Sequence, residues 1–318
     1  MNNTVRCVLL GVAQDGGVPQ ANCRCDQCLH ARNNSPFLDG MQACLGAVDE
    51  GEGKAFLFDC SPAFGSQLWS LQNPEGGGKT ITLGGIFLTH AHTGHYTGES
   101  HLCAHHHEAM GAKMVPVYCT ASMATFLESN QPWYGLITGQ HIDIRIIQAG
   151  QTVEVTPSLS VTPITVPHRS EISDTVAFIL NIFEVSRLLY CPDTDGWEHW
   201  TKSATDVCRG VEVALMDGTF YSMDELPGRD MLEIPHPVVE NSIKVSEAPA
   251  RGKGEVISHW RCRKTRPTAF SLLSSFNKSR AKGKASKYSP TTSVEAAGFC
   301  VGCVDMSWSW EHKPVTHN

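Results

Sequence analysis

The chain has 318 residues, 41% of them hydrophobic, with a formal net charge of −7. That length and apolar content exclude a small disulfide-stapled domain, and no run approaches the roughly 18 apolar residues of a membrane span. Charge is uneven: residues 1–240 hold 27 Asp+Glu against 12 Lys+Arg, and residues 241–318 hold 13 Lys+Arg against 5 Asp+Glu, so an acidic body precedes a basic segment.

Short runs rich in Val, Ile and Leu, bounded by Gly, Pro, Asp or Ser, predict strands over 5–11, 55–58, 85–89, 114–119, 142–148, 159–166, 176–182, 188–191 and 211–216. Helices are expected over 61–71, 98–111 and 121–128, the first with Ser61 as N-cap and Pro62 at its first position. Many strands and fewer helices mean an α/β (α+β) class. Several strands lead into a polar residue: Asp59, His90, His168, Asp193 and Asp217. Strand ends are where rigid scaffolds usually present their chemistry. Residues 273–290 read L-S-S-F-N-K-S-R-A-K-G-K-A-S-K-Y-S-P, polar, basic and Ser-rich. The expected organisation is a domain over 1–240 and a basic, Ser-rich tail over 241–318 that partly completes the domain near 255–262 and is otherwise poorly ordered.

The first six residues carry one cation, and the apolar run at 8–12 is too short for a signal peptide. A cytoplasmic, reducing setting follows as an expectation, with the 13 cysteines as thiols. Cys23, Cys25 and Cys28 are crowded, a pattern that fits a metal site better than disulfides.

Residues 87–98 read F-L-T-H-A-H-T-G-H-Y-T-G. His90 and His92 leave the end of a strand two residues apart, and His95 can reach the same cavity from the next turn. A divalent ion such as Zn²⁺ wants imidazole nitrogens in a fixed geometry, and this spacing supplies them. The competing reading is an exposed polar loop.

T-H-A-H-T-G-H resembles the H-x-H-x-D-H motif of the metallo-β-lactamase superfamily. The resemblance implies a four-layer αββα sandwich with a metal site on one edge. It further implies His168 (V-P-H-R-S) as the third histidine ligand, Asp193 (C-P-D-T-D-G) as the carboxylate ligand, and Asp59 as a prop for the histidine loop. The stretches V-L-L-G-V-A-Q-D-G-G-V-P-Q-A-N-C-R-C-D-Q-C, E-A-M-G-A-K-M-V-P-V-Y and M-D-G-T-F-Y-S-M-D-E-L-P-G-R-D-M-L-E-I-P-H-P narrow it. Over about residues 5–240 they are similar to the coenzyme PQQ synthesis protein B family and, more distantly, to a cyclic phosphodiesterase of phosphonate breakdown. In these relatives C-x-C-x-x-C holds a structural zinc, which implies Cys23, Cys25 and Cys28 as three thiolate ligands.

Two departures bear on the site. The motif aspartate is Gly94 here, which leaves a second active-site metal without that ligand. A single ion held by His90, His92 and His168, with Asp193 completing the set, is the simpler expectation. His95 is then a weaker ligand, a hydrogen-bonding group or a proton carrier. The relatives also end with H-x-x-H, and its nearest counterpart here is His259 with Cys262. His259 would close the catalytic site and Cys262 would be the fourth ligand of the cysteine zinc. Unrelated sequence over this segment is the alternative, and Cys300 with Cys303 is a competing zinc contributor.

The function implied is a metal-dependent hydrolase using a metal-bound hydroxide, with Asp193 and His95 as catalytic groups. Its substrate would be a small ester, lactone or phosphodiester, within PQQ or quinone cofactor synthesis. Zn²⁺ is the expected ion, with Mn²⁺ or Fe²⁺ as alternatives at the catalytic site; iron would bring oxygen chemistry instead. The contrasting reading is a non-catalytic metal-binding or interaction protein with a degraded site. No membrane or nucleic-acid partner is expected, and a homodimer is compatible with the composition. Elsewhere, His105, His106 and His107 read as an exposed run, and Trp133 as core or pocket wall. Asp217 and His236 read equally as pocket lining or structural hydrogen bonding.

Overall fold

A computed structural model describes residues 3–34, 40–73, 81–103, 110–200, 203–220, 222–223, 230, 233–247, 255–258, 295–296 and 307–312. Two sheets face each other. The first contains β1 (Asn3–Gly11), β2 (Cys44–Asp49), β3 (Lys54–Phe58), β4 (Thr82–Phe87), β5 (Val115–Cys119), β6 (Ile142–Ile146), β13 (Glu295–Ala296) and β14 (Ser307–His312). Its order is β13-β14-β1-β2-β3-β4-β5-β6. The second contains β7 (Val153–Thr156), β8 (Leu159–Thr165), β9 (Val176–Ile182), β10 (Ser186–Cys191), β11 (Val213–Met216) and β12 (Glu255–Ser258), in the order β12-β11-β10-β9-β8-β7.

The alternation of side chains along each strand builds the layers. Val5, Cys7 and Leu9 of β1, Phe56 and Phe58 of β3, and Leu188 and Tyr190 of β10 point between the sheets. Val8, Leu10, Ala55 and Leu57 point the other way, onto α2 (Phe64–Gln72) and α4 (Ala121–Ser129) through Phe64, Leu68, Leu71, Met123 and Leu127. On the far side Leu189, Cys191, Ala214 and Met216 meet Val207 of α6 (Ala204–Arg209) and Val245 of α7 (Val239–Glu247). Helix, sheet, sheet and helix therefore stack in four layers, as expected. Aromatic rings anchor the central layer: Phe87 stacks on Phe58 at 5.1 Å and on Tyr118 at 4.3 Å, and meets Phe178 edge-on at 5.5 Å.

Strand direction gathers the site. β1 and β3 both run antiparallel to β2, and β4 runs parallel to β3, so β1, β3 and β4 end at one edge. In the second sheet β8 and β10 both run antiparallel to β9, and β11 is parallel to β10, so these three also end together. The Val176 N–H donates to the Thr89 carbonyl at 3.1 Å, tying the start of β9 to the chain leaving β4. Both sets of strand ends thus face a common cleft.

Several expectations are corrected. The helix placed at 61–71 starts at Phe64, and Ser61 is not its cap. Ser61 Oγ instead accepts from the Ala63 N–H at 3.0 Å and donates to Gln67 Oε1 at 2.7 Å. Among the described residues of the segment 98–111 there is a 3₁₀ turn over Thr97–Leu102 in place of the start of the expected helix, and His105, His106 and His107 lie outside the described residues. β2 and β7 were not anticipated. The limit expected at 240 falls inside α7; β12 extends the second sheet within the 255–262 segment expected to complete the domain, and β14, which was not expected, pairs with β1. The physical reason is burial, because Trp308 and Trp310 of β14 fill the space between the sheets. His259, Cys262, Cys300 and Cys303 lie outside the described residues. No described helix is long and apolar enough to cross a membrane.

Candidate metal centre

The chain leaving β3 turns at Asp59, whose φ of +69° is a left-handed conformation that most non-glycine residues avoid. Hydrogen bonds hold it there. Asp59 Oδ1 accepts from the Thr89 N–H at 2.9 Å and the Thr89 hydroxyl at 2.8 Å. Asp59 Oδ2 lies 2.7 Å from His95 Nδ1 and accepts from the Tyr190 hydroxyl at 3.1 Å. One buried carboxylate thereby fixes the end of β4 and the ring of His95.

This network also sets the tautomer of His90. Thr89 has one hydroxyl proton, and it goes to Asp59. Towards His90 Nδ1, 2.9 Å away, Thr89 Oγ1 can therefore only accept, so Nδ1 carries the proton and Nε2 carries the lone pair. His90 Nε2 is buried, makes no hydrogen bond, and lies 3.4 Å from Asp193 Oδ2. His168 is oriented in the same manner: its Nδ1 lies 3.2 Å from Asp195 Oδ1, and its Nε2 lies 3.3 Å from His92 Nδ1 and 3.7 Å from Asp193 Oδ2. The Ala91 N–H donates to Ser173 Oγ at 3.0 Å, which fixes the loop between the two motif histidines.

One ligand atom from each of His90, His92, His168 and Asp193 lies within 4.8 Å of the others. The four come from the loops after β4, β8 and β10. Burial and the neighbouring His95 lower the His90 pKa; burial, His90 and His168 lower that of His92 to about 3. Both imidazoles are thus neutral, the form that donates a lone pair to a metal. Burial alone would raise the Asp193 carboxyl, but the charge on the neighbouring His95 outweighs it and holds it well below the usual carboxylate range. A buried carboxylate facing lone pairs, with a buried nitrogen lacking any donor, is a donor set that fits a divalent cation.

His95 does not join this foursome. Its Nε2 lies 3.3 Å from Asp193 Oδ2 and 3.4 Å from Asp15 Oδ1, so Asp15, His95 and Asp193 form an adjoining group. Burial would lower the His95 pKa, but Asp59 and Asp193 raise it well above its ordinary value. A third group combines Asp193 with Asp217 and His236. His236 Nδ1 lies 2.6 Å from Asp217 Oδ2, and its ring centroid is 5.1 Å from that of His168. Asp217 Oδ1 accepts from the N–H and the hydroxyl of Thr219, at 2.9 and 2.7 Å. His236 thus sits beside the centre; His259, expected to close it, lies outside the described residues.

Asp15 and Asp195 were not foreseen. Asp195 was visible two residues after Asp193, but its role depends on the ring orientation of His168. Asp15 sits in the quoted A-Q-D-G-G stretch, and nothing in the spacing ties it to His95. At a distance from the centre, the Sγ atoms of Cys23, Cys25 and Cys28 lie within 4.8 Å of one another at the start of α1 (Asp26–Asn34). The Gln20 N–H donates to Cys28 Sγ at 3.2 Å, and Arg32 clamps the loop by donating to the Cys23 and Gln20 carbonyls at 2.7 and 2.8 Å. Trp133 is partly buried against Tyr96, with ring centroids 4.9 Å apart, inside the core under α4.

Comparison with known proteins agrees with this architecture. The beta-lactamase superfamily domain matches residues 54–260. The coenzyme PQQ synthesis protein B of Methylococcus capsulatus is 26% identical over 236 residues, covering 69% of this chain and 74% of that protein. The crystal structure of Zn²⁺-bound PqqB from Methylobacterium extorquens superposes with a TM-score of 0.63 at 23% identity, covering 80% of this chain and 88% of that one. A diphosphatase from the PhnP family superposes with a TM-score of 0.60 at 16% identity, covering 98% of this chain and 99% of the other. The chain belongs to the metallo-β-lactamase superfamily and is similar to coenzyme PQQ synthesis protein B.

Proposed function

We propose that the chain is a metal-dependent hydrolase acting on a small ester, lactone or phosphodiester, with a divalent ion, Zn²⁺ first among the candidates, held by His90, His92, His168 and Asp193. The observation that carries this reading is His90 Nε2: a buried lone pair with no donor, aimed at a buried carboxylate. Keeping such groups apart from water without a cation costs several kcal/mol. That cost also argues against a degraded, non-catalytic centre.

When bound, the ion would lower the pKa of a water towards about 7 and polarise a scissile carbonyl or phosphoryl oxygen. The chain's own residues do the rest. Thr89 and Asp59 fix the His90 ring, and Asp195 fixes His168, so the nitrogens are aimed before any ligand arrives. Asp193 is the ligand and the nearest carboxylate to take a proton; His95, beside it, can relay one. The thiolates of Cys23, Cys25 and Cys28 suit a structural Zn²⁺ that steadies the loop after β1. The named relatives support a substrate within PQQ or related cofactor synthesis, and the thiol-rich composition supports a cytoplasmic setting.

The test is metal analysis of purified protein alongside a panel of lactones and cyclic phosphodiesters. The double substitution His90→Ala/His92→Ala should remove the ion held by the histidines and all hydrolysis, while the ion at the cysteines stays. Hydrolysis that survives the double substitution contradicts the reading.

A further inference from the structure

Position 94 is where the superfamily motif places an aspartate and this chain has glycine. The space there is not vacant. A Cβ built on Gly94 would lie 2.3 Å from Asp15 Oδ1 and 2.7 Å from Asp15 Cα. Glycine at 94 is therefore required by Asp15, which enters from the end of β1 and occupies the volume a side chain at 94 would take. Asp15 is firmly placed. It is the second residue of a tight turn closed by the Gly17 N–H on the Gln14 carbonyl at 2.7 Å, with Gly17 at φ +63°. Gln42 Nε2 donates to the Asp15 carbonyl at 3.3 Å, and the neighbouring Gln14 donates to the Thr219 hydroxyl.

The inward oxygen has a purpose to match. Asp15 Oδ1 is buried and makes no hydrogen bond, although the side chain as a whole is 38% exposed. Its neighbour is His95 Nε2, 3.4 Å away. Because His95 Nδ1 gives its proton to Asp59 Oδ2, the other nitrogen of a neutral His95 holds a lone pair. That lone pair faces two carboxylate oxygens, Asp15 Oδ1 and Asp193 Oδ2. With His95 neutral, three electron-rich atoms converge, and a divalent cation between them satisfies all three, the place that a proton on Nε2 takes when no ion is bound.

We propose that Asp15 replaces in space the carboxylate that position 94 lacks, so that Asp15, His95 and Asp193 form a second divalent-cation site sharing Asp193 with the site of His90, His92 and His168. The ligand comes from a different strand end, but the donor set is complete. Carboxylates and one imidazole suit a hard or borderline ion such as Mn²⁺ or Zn²⁺. This inference rests on the metal reading of the histidine centre given above, and its failure is distinguishable from the failure of that reading. The rival is a proton on His95 in place of the second ion.

The experiment is titration of chelator-treated full-length protein with Mn²⁺ alone, followed by electron paramagnetic resonance. Mn²⁺ avoids thiolates, so the cysteines do not enter the count. Two ions per chain with an exchange-coupled signal are expected, since one shared carboxylate keeps paired ions about 3.5–4 Å apart. Asp15→Ala should bind one ion with an uncoupled signal. Asp15→Asn, which preserves shape and removes the charge, should weaken the second ion about tenfold or more while the first is retained. One uncoupled ion in the unsubstituted chain, or two coupled ions in Asp15→Ala, overturns the second site and leaves the first. Uptake of no ion overturns both.

Discussion

His168 Nε2 lies 3.3 Å from His92 Nδ1, although 76 residues separate them in the chain. One follows β4 of the first sheet and the other follows β8 of the second, so the pair spans the cleft between the layers. Two imidazoles this close, with one held near a pKa of 3, repel a shared proton and favour a shared ion. His168→Ala should therefore weaken the histidine-bound ion by more than the 10–100-fold typical of losing an outer hydrogen-bonding partner. Competition with a chromophoric chelator measures it, and unchanged affinity would remove His168 from the centre.

Asp59 reaches His90 through Thr89 and touches His95 directly. Asp59→Asn keeps the volume, but an amide cannot accept at both ends. The expected result is a loss of about 10–100-fold in metal affinity with the fold retained, read by chelator competition alongside circular dichroism. An affinity within twofold of the unsubstituted chain would show that the His90 and His95 rings are held by packing alone.

Glu99 is wholly buried with neither carboxyl oxygen hydrogen-bonded, and burial raises its pKa from 4.5 to about 8. Cys60, Cys119 and Tyr96 are the titratable groups that face it. The folded chain keeps this proton to a higher pH than the unfolded chain does. Stability is therefore undiminished below about pH 4.5, falls as pH rises, and has lost its full share above about pH 8. Glu99→Gln should flatten that fall, raising stability at pH 9 by roughly 3–5 kcal/mol relative to the unsubstituted chain. Denaturant unfolding across pH 5–9 tests this, and parallel curves for the two proteins would contradict it.

Trp310 is fully buried between the sheets, on a strand that pairs with β1 near the C-terminus. Trp310→Ala should cost about 3–5 kcal/mol in chemical denaturation. A loss under about 0.5 kcal/mol would mean that residues 307–312 do not complete the core in solution.

Much of the layout was legible because strands announce themselves by alternation and end in a polar residue. Asp59, His90, His168, Asp193 and Asp217 all stood at the ends of such runs, and topology turned those ends to one edge. What stayed hidden depended on three dimensions. Asp15 joins His95 only because β1 and β4 finish at the same edge, a fact set by pairing through β2 and β3. β2, C-L-G-A-V-D, escaped notice because small residues give it a weak apolar signal, yet all six of its residues are buried. In β14, S-W-S-W-E-H does alternate, but it stands beyond a long basic, Ser-rich stretch that reads as solvated chain. Where the helix expected at 98–111 was to begin, Thr97–Leu102 is a 3₁₀ turn, because backbone bonds from the Cys60 N–H to His95 and from the Gly98 N–H to Cys60 bind this segment to the end of β3.

Anomalous diffraction from crystals of the zinc-loaded chain, collected on both sides of the zinc absorption edge, addresses the centre directly. The expected map has a zinc peak about 2.0–2.2 Å from His90 Nε2, His168 Nε2, an imidazole nitrogen of His92 and a carboxylate oxygen of Asp193. A map with zinc only at Cys23, Cys25 and Cys28, and none among the histidines, would contradict the account.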